Sequence, residues 1–383
     1  MAATNLKFGL VAVLIGATAL TLVHDHRAWI AERDENESLR RQIADLKADK
    51  EALSTRLARA NHSRAERAVE ISPVPPAATP PVANSPTNNL RARLLANPLK
   101  LTASQLDDYL KKNHRDASSL LAAYRVSHDP ALLTEAMQKY PNDPHVDFEA
   151  LFQTNMTAED RRQWLTAFEK SAPNNALANY LSAADYFKSG QTDLALKEMT
   201  AGSAKQAFQD YTMDRLMDDR EAYLDAGYSS AEAEVSSTTQ LMLPQLIQIK
   251  DLARAMVDQA NVYQQAGDSD SAMAVLQMAD SLGARYATAD PAEAEVSQLV
   301  GMAVERMALG SMDPASPYGD DGQTVQDAIN QLTQERSTLD ALNAEAEPIL
   351  ENISDQDYLT YKDRWMAFGE EAALRWLIAT HGQ

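Results

Sequence analysis

Residues 251–282 read DLARAMVDQANVYQQAGDSDSAMAVLQMADSL and place two helix-favouring segments on either side of the turn sequence Gly267-Asp268-Ser269-Asp270. Small and aromatic residues recur in these segments at helical spacing, namely Ala260, Tyr263, Ala272 and Ala279. Two antiparallel helices approach closely where alanine faces alanine, and a tyrosine fills the gap toward the next pair of helices. The pattern therefore predicts a tightly packed helical hairpin.

The same pattern occurs a second time, 77 residues earlier. The earlier copy consists of Ala183, Tyr186, Gly190, Asp193 and Ala195, which correspond to Ala260, Tyr263, Gly267, Asp270 and Ala272. A shorter similarity links Pro141-Asn142-Asp143 to Pro173-Asn174-Asn175, 32 residues later. Helical-hairpin repeats have periods of about 34 residues, so these spacings indicate degenerate repetition. They leave room for one further, diverged hairpin over residues 204–242.

These positions resemble the tetratricopeptide-repeat family, in which small and aromatic residues hold stacked helical hairpins together. The resemblance covers both copies and extends weakly to residues 120–153. Met256 and Asn179 stand where the family has a large aromatic residue. The resemblance implies an array of hairpins whose concave face binds peptides or partner proteins. The fold class predicted for residues 91–383 is therefore all-α, a degenerate tetratricopeptide-like array of helical hairpins.

Signals for helix starts recur across this domain. Capping boxes are predicted at Thr102 and Ser229, and an aspartate precedes a proline at Asp129-Pro130 and at Asp143-Pro144. No segment shows sustained alternation of apolar and polar residues with period two. We therefore expect essentially no sheet.

The C-terminal third is predicted to close the array. A loop at Ser311–Gly322 precedes a helix from Thr324 to about Ala346, which Pro348 should interrupt. A closing helix is predicted over Asp355–Ala379. One face of this helix carries Trp365, Phe368, Ala372 and Trp376. The apolar face favours a cap over the last hairpin, with docking of a partner as the alternative.

An apolar segment follows a short N-terminal tail of residues 1–7. Residues 8–23 carry no charge and span about 24 Å as a helix, which suits a transmembrane anchor with flanking residues that reach the interface. A cleaved signal sequence, with Ala17-Thr18-Ala19 at its processing site, is the alternative. Because the tail is very short, we expect the bulk of the chain on the non-cytoplasmic, periplasmic side of the membrane.

Residues 27–70 carry a heptad pattern that predicts a coiled coil. Its core positions are Asn36, Leu39, Ile43, Leu46, Lys50, Leu53 and Leu57. A β-branched residue at one a position with leucine at d favours two parallel strands, and a polar residue at a fixes the register. We therefore expect a homodimer, with a single amphipathic helix as the alternative. Residues 71–90 follow as a linker, since their six prolines exclude a helix or a central strand.

The charge of the chain is concentrated in the helical domain. Residues 1–89 hold 11 Lys/Arg and 10 Asp/Glu, so 24 basic and 45 acidic residues, a balance of −21, fall in residues 90–383. Such a domain repels phosphate backbones, so we expect no nucleic-acid partner; a basic protein would be attracted, with solubility alone as the other explanation. The chain has no cysteine, which excludes disulfides and thiolate chemistry.

No motif for catalysis, cofactor binding or metal binding is present. The seven histidines are scattered, and no glycine-rich phosphate loop or GxSxG elbow occurs. We therefore predict no catalytic, cofactor-binding or metal-binding residues, although a site assembled from distant residues would leave no such motif. Ten of the fourteen methionines lie between Met199 and Met312. Such methionines either fill an irregular core or line a surface that adapts to apolar ligands.

The order of these segments indicates a membrane-anchored adaptor that presents an acidic helical domain to a protein or peptide partner. An all-helical envelope enzyme of the lyase or hydrolase type is one alternative, and a structural spacer or self-assembly unit is another. If the protein is an enzyme, we expect a cleft in which three or more buried titratable groups converge. An adaptor predicts a shallower groove lined by Asn, Met and aromatic residues.

Overall fold

Helices form most of residues 90–154, 156–287, 295–319 and 322–382, the parts of the chain that the computed structural model describes. In chain order they are α1 (Leu90–Ala96), α2 (Ala103–Lys112), α3 (Ala117–Ser127), α4 (Pro130–Lys139), α5 (Pro144–Ala150), α6 (Ala158–Ser171), α7 (Ala176–Lys188), α8 (Thr192–Ser203), α9 (Thr212–Asp225), α10 (Ser230–Thr239), α11 (Pro244–Gln265), α12 (Ser269–Ala287), α13 (Glu295–Leu309), α14 (Val325–Asn352), α15 (Asp355–Phe368) and α16 (Glu370–His381). A short antiparallel ribbon, β1 (Pro317–Tyr318) and β2 (Gln323–Thr324), connects α13 to α14. The prediction of an all-α fold is confirmed.

The N-terminal predictions concern residues that the structure does not describe. The anchor, the coiled coil with all its core positions and the linker up to residue 89 lie outside the described residues, and they stay predictions. Within the described stretches, every helix is too short or too polar to span a bilayer.

Side chains that were predicted to cap helices do so. Thr102 and Gln105 form a capping box at the start of α2, and Ser229 and Glu232 form another at the start of α10. Asp143 accepts hydrogen bonds from two backbone N–H groups in the first turn of α5. These bonds satisfy N–H groups that have no partner inside the helix.

The two copies of the sequence pattern form the helical hairpins α7–α8 and α11–α12, which pack on each other. Helix α7 contacts α11, and α8 contacts α12. Gly190 and Gly267 adopt φ angles of +73° and +79° at the two turns, a conformation that glycine reaches without strain. Hairpins related by the 77-residue offset are therefore neighbours in space. That their stacking is of the tetratricopeptide type stays a prediction.

The further hairpin expected over residues 204–242 is present as α9–α10, but it lies outside the stack. Helix α9 packs on α2 and α3, and α10 packs on α1 and α15. Asn175 directs the connecting segment, because its Nδ2 donates to the Gln209 carbonyl at 2.8 Å and its Oδ1 accepts from the Gln209 N–H at 3.1 Å. The chain thus leaves the stack after α8 and returns to it with α11.

The backbones of α12 and α13 touch at two glycines. A Cβ atom on Gly301 would lie 2.5 Å from Ala287 N and 2.7 Å from Gly283 O, and a Cβ atom on Gly283 would lie 2.7 Å from Gly301 O. Glycine is required at so close an approach. Helix α13 also packs on α11 and α14. The glycine contact therefore connects the stacked hairpins to the C-terminal helices.

Two features of the C-terminal third differ from the sequence-based expectation. Pro348 lies inside α14 instead of ending it; a proline removes one backbone hydrogen bond, and α14 is held by its packing on α13 and α16. The closing helix is two helices, because Gly369 separates α15 from α16 with a φ of +90°. Trp365 is buried and Ala372 is exposed, so the predicted apolar face is not continuous.

Gly301→Ala should lower the free energy of unfolding by about 2 kcal/mol, because the methyl group would overlap backbone atoms of α12. The gain in helix propensity, about 1 kcal/mol, offsets the overlap in part. Urea denaturation of the full-length chain in a non-ionic detergent, followed by circular dichroism, measures the change. Ser281→Ala, at an exposed position of α12, is the control and should change stability by less than about 0.5 kcal/mol. Equal stability of the two variants would contradict the close contact.

Candidate functional site, a methionine-lined cavity

A cavity of about 300 Å³ lies between α12, the β1–β2 ribbon and the start of α14. We call it the Met273 cavity; it is lined by Met273, Gln277, Asp280, Met312, Ser316, Pro317, Tyr318, Gly319 and Val325. Met273, Gln277 and Asp280 follow each other at spacings of four and three residues, so they share one face of α12. Cavities of this size accept a small ligand or a large side chain.

The β1–β2 ribbon holds Tyr318 against α12. Pro317 pairs with Thr324, and Tyr318 pairs with Gln323. The Val325 N–H donates to the Ser316 carbonyl at 3.0 Å, which fastens the ribbon to the first turn of α14. Tyr318 is thereby placed so that its hydroxyl donates to Asp280 Oδ2 at 3.0 Å.

Asp280 belongs to a pair of acidic side chains that form no ion pair with a lysine, arginine or histidine in the described part of the chain. Burial raises the pKa of Asp280 to about 6. Burial and the negative charges of Asp280 and Glu335 raise the pKa of Glu305 on α13 to about 8. Asp280 Oδ1 and Glu305 Oε1 are buried without a hydrogen-bond partner among the described residues. Buried carboxylates are normally paired with a cation or hydrogen-bonded, and this pair is satisfied only in part.

The glycine contact explains why the two acids lie close together. Glu305 follows Gly301 by one turn of α13, and Asp280 precedes Gly283 by one turn of α12. The Glu305 Cγ lies 2.6 Å from the point where a Cβ on Gly283 would stand. Because Gly283 has no side chain, Glu305 packs directly against α12. Asp280 lines the cavity, whereas Glu305 is not among its lining residues.

None of the residues that were predicted to pack the repeats is among the residues that line the cavity. The predicted alanines are each at most 1% exposed: Ala183, Ala195, Ala260, Ala272 and Ala279. Tyr186 and Tyr263 are half-buried, and the guanidinium carbon of Arg162 lies 4.3 Å from the ring centre of Tyr186. Gly190 and Gly267 form the turns. The sequence pattern therefore marks the scaffold and does not mark the candidate site.

The methionine-rich stretch supplies both the core and the cavity. Met199 and Met256 are fully buried, whereas Met273 and Met312 line the cavity. The carboxyl pair was not foreseen, because Asp280 and the other acids of the domain look alike in sequence. What distinguishes Asp280 and Glu305 from the other acids is that the contact between α12 and α13 brings them together.

Two groups of buried charges elsewhere in the described residues join helices. Arg125 of α3 donates to Asp219 of α9 at 2.8 Å and lies 3.4 Å from Glu149 of α5. Lys362 of α15 lies 3.8 Å from Glu234 of α10, and burial lowers the pKa of this lysine to about 8. None of these side chains lines the Met273 cavity. Their placement at helix junctions is that of structural cross-links.

Neither a protein-family model, nor a curated protein sequence, nor a solved structure matches the chain. No group of three or more His, Asp or Glu side chains in the described part of the chain is arranged to hold a metal ion. The interpretation of the cavity therefore depends on its lining and its charge.

Arg125→Met should be strongly destabilising, because it leaves Glu149 and Asp219 buried without this cation. Breaking a buried ion pair by removing one partner costs about 3–5 kcal/mol. Urea denaturation of the full-length chain measures the loss. Arg254→Met is the matched control, since Arg254 pairs with Asp251 at the surface and its side chain is 57% exposed. A similar stability of the two variants would contradict the role of Arg125 as a cross-link.

The free energy of unfolding should fall as the pH rises from about 5.5 to about 8.5. Asp280 and Glu305 have raised pKa values in the folded chain. Over this range the unfolded chain has already lost protons that the folded chain retains, so a higher pH favours unfolding. Burial also raises the pKa of Asp147 and of Asp219 to about 6, which adds to the trend.

Glu305→Gln isolates the contribution of one acid to this trend. At about pH 8.5 the variant should be more stable than the wild type by an amount on the order of 2 kcal/mol, and below about pH 4, under the unfolded pKa of glutamate, the difference should vanish. Denaturation at several pH values tests this. Glu345→Gln, on the exposed side of α14, is the control and should leave the pH dependence unchanged. A wild-type pH dependence in Glu305→Gln would show that Glu305 is not a buried acid.

Proposed function

We propose that the protein is a membrane-anchored adaptor. Residues 8–23 hold it in the membrane, residues 27–70 pair two copies, residues 71–90 act as a spacer, and residues 91–383 bind a partner protein on the periplasmic side. Tetratricopeptide-like hairpins form the scaffold of this binding domain.

The observation that carries the proposal is the lining of the Met273 cavity. Two methionines, a tyrosine, a proline and a valine meet a single carboxylate there. Methionine has three rotatable bonds and a polarisable sulfur, so it adapts to apolar groups of different shapes. Methionine-rich surfaces are used by proteins that bind several partners. The lining is of the kind expected for a groove that receives part of another protein.

The charge of the domain supports a basic partner. Residues 90–383 carry a balance of −21, and the cavity itself contains a carboxylate but no lysine or arginine. A strongly acidic surface attracts a basic protein over a distance of about 10 Å at moderate salt and accelerates its encounter. Short-range contacts then decide which basic protein stays bound.

An all-helical enzyme is the second candidate, and the Asp280–Glu305 pair is the observation that favours it. Two neighbouring carboxyl groups with different pKa values can divide the roles of acid and base between them. Such a reaction needs both groups to reach the substrate. Glu305 does not line the cavity, so the adaptor accounts better for the arrangement.

Site-specific photo-cross-linking in native membranes tests the adaptor. A benzophenone amino acid replaces Gln277, an exposed residue that lines the cavity, in the full-length chain. We expect an adduct with a defined partner protein, and we expect its yield to fall as salt rises, because screening weakens the attraction of opposite charges.

The control places the same amino acid at Thr134. This residue is exposed on α4. Helix α4 packs on α3 and α5, and none of these three helices lines the cavity. The partner adduct should be missing there. Adducts at Gln277 that contain two copies of this chain alone would favour self-assembly, and the complete lack of a protein adduct would overturn the adaptor.

A further inference from the structure

We propose that the Met273 cavity binds the side chain of an arginine or lysine from a peptide segment of the partner protein. The inference rests on the proposed function, since it specifies the chemistry of the segment that the adaptor receives. It depends on the size of the cavity, on the side chains that line it, and on the charge and hydrogen bonding of the Asp280 carboxylate.

The walls suit the aliphatic part of a long side chain. Met273, Met312 and Val325 present apolar groups, and Pro317 and Tyr318 close the ribbon side. Arginine and lysine carry three or four methylene groups before the charge, and they bury these groups along apolar surfaces. A cavity of about 300 Å³ has room for one such side chain.

The carboxylate supplies the partner for the charged end. Asp280 Oδ2 accepts the hydrogen bond from Tyr318, which orients the carboxylate and leaves Oδ1 without a hydrogen-bond partner. A guanidinium or ammonium group that enters the cavity would lie beside this carboxylate, because Asp280 is one of the lining residues, and would gain a charge-assisted interaction with it. Glu305 lies near enough for the Asp280 charge to raise its pKa, so a bound cation would favour ionisation of this second acid as well.

Other ligand classes fit the same observations less well. A neutral apolar side chain would fill the cavity but would replace water beside the Asp280 carboxylate without pairing with its charge, which costs free energy. An anion would meet the Asp280 carboxylate and be repelled. A bare metal ion would need three or more ligands, and no such set exists among the described residues.

Cation binding should also be linked to pH. Part of the Asp280 and Glu305 carboxyl groups is protonated near neutral pH in the free protein, because their pKa values are raised. A bound cation favours the ionised forms, so binding releases protons and the affinity rises with pH. A neutral ligand would not produce this dependence.

Methyl resonances of methionine report on the cavity directly. The full-length chain is labelled with ¹³C-methyl methionine in a non-ionic detergent, and Met273 and Met312 are assigned by single Met→Leu replacements. The probe is the peptide acetyl-Ala-Arg-Ala-amide. We expect saturable shifts of both resonances and an affinity that increases between about pH 5.5 and about pH 8.

Two comparisons separate charge from shape. The peptide with citrulline, the neutral isostere of arginine, and the peptide with norleucine should each bind at least about tenfold more weakly. Asp280→Asn should weaken binding of the arginine peptide by a similar factor, whereas Asp270→Asn, which removes an exposed charge from the same helix, should leave it unchanged. Tyr318→Phe should weaken binding without abolishing it.

Either of two results would overturn the inference. Equal binding of the norleucine and arginine peptides would make the cavity a purely apolar site, and an Asp280→Asn variant with wild-type affinity would remove the carboxylate from recognition. The adaptor is tested separately, because cross-linking of a partner at Gln277 that persists in Asp280→Asn would retain the adaptor while rejecting this recognition. Saturable binding of the peptide without any cross-linked partner protein would support this recognition while rejecting the adaptor.

Discussion

The contact between the backbones of α12 and α13, at Gly283 and Gly301, determines how the C-terminal part of the domain is attached to the hairpin stack. Helices that meet through long side chains can slide and still pack, whereas backbones that touch fit in one register. Helix α13 also packs on α11 and α14, and α14 packs on α16 and on the β1–β2 ribbon. The positions of these elements therefore depend on the register of α13 against α12. One close approach between two helices thus positions the elements that surround the cavity.

The cavity follows from the same arrangement. Helix α12 uses its alanine- and glycine-rich sides to pack on α11, α8 and α13. The face with Met273, Gln277 and Asp280 is left for the ribbon, which is short and covers it incompletely. A two-residue strand pair cannot fill the space that a helix would occupy. The chain therefore retains a void between this face of α12 and the ribbon.

Local signals in the sequence predicted local structure well. Capping residues such as Thr102 and Ser229 act within one turn, so their effect is visible without knowledge of the fold. The hairpin turns at Gly190 and Gly267 are equally local. The position of the α9–α10 hairpin outside the stack depends on tertiary packing, as does the position of Pro348 inside α14. Neighbouring residues carry no signal for either feature. The carboxyl pair depends on a glycine contact between two helices, and for this reason the sequence did not reveal it.

The domain treats its buried acids in two ways: some face a cation, and others keep an oxygen without a hydrogen-bond partner among the described residues. Glu149 and Asp219 face Arg125, and Glu234 faces Lys362. Asp147 and Glu295, by contrast, are buried and each keeps a carboxylate oxygen without a hydrogen-bond partner among the described residues, as Asp280 does. Asp280 differs from these two acids because its side chain also lines the Met273 cavity. A local conflict of this kind lowers stability, and natural proteins tolerate it mainly at functional sites, where a ligand completes the interaction that the fold leaves open.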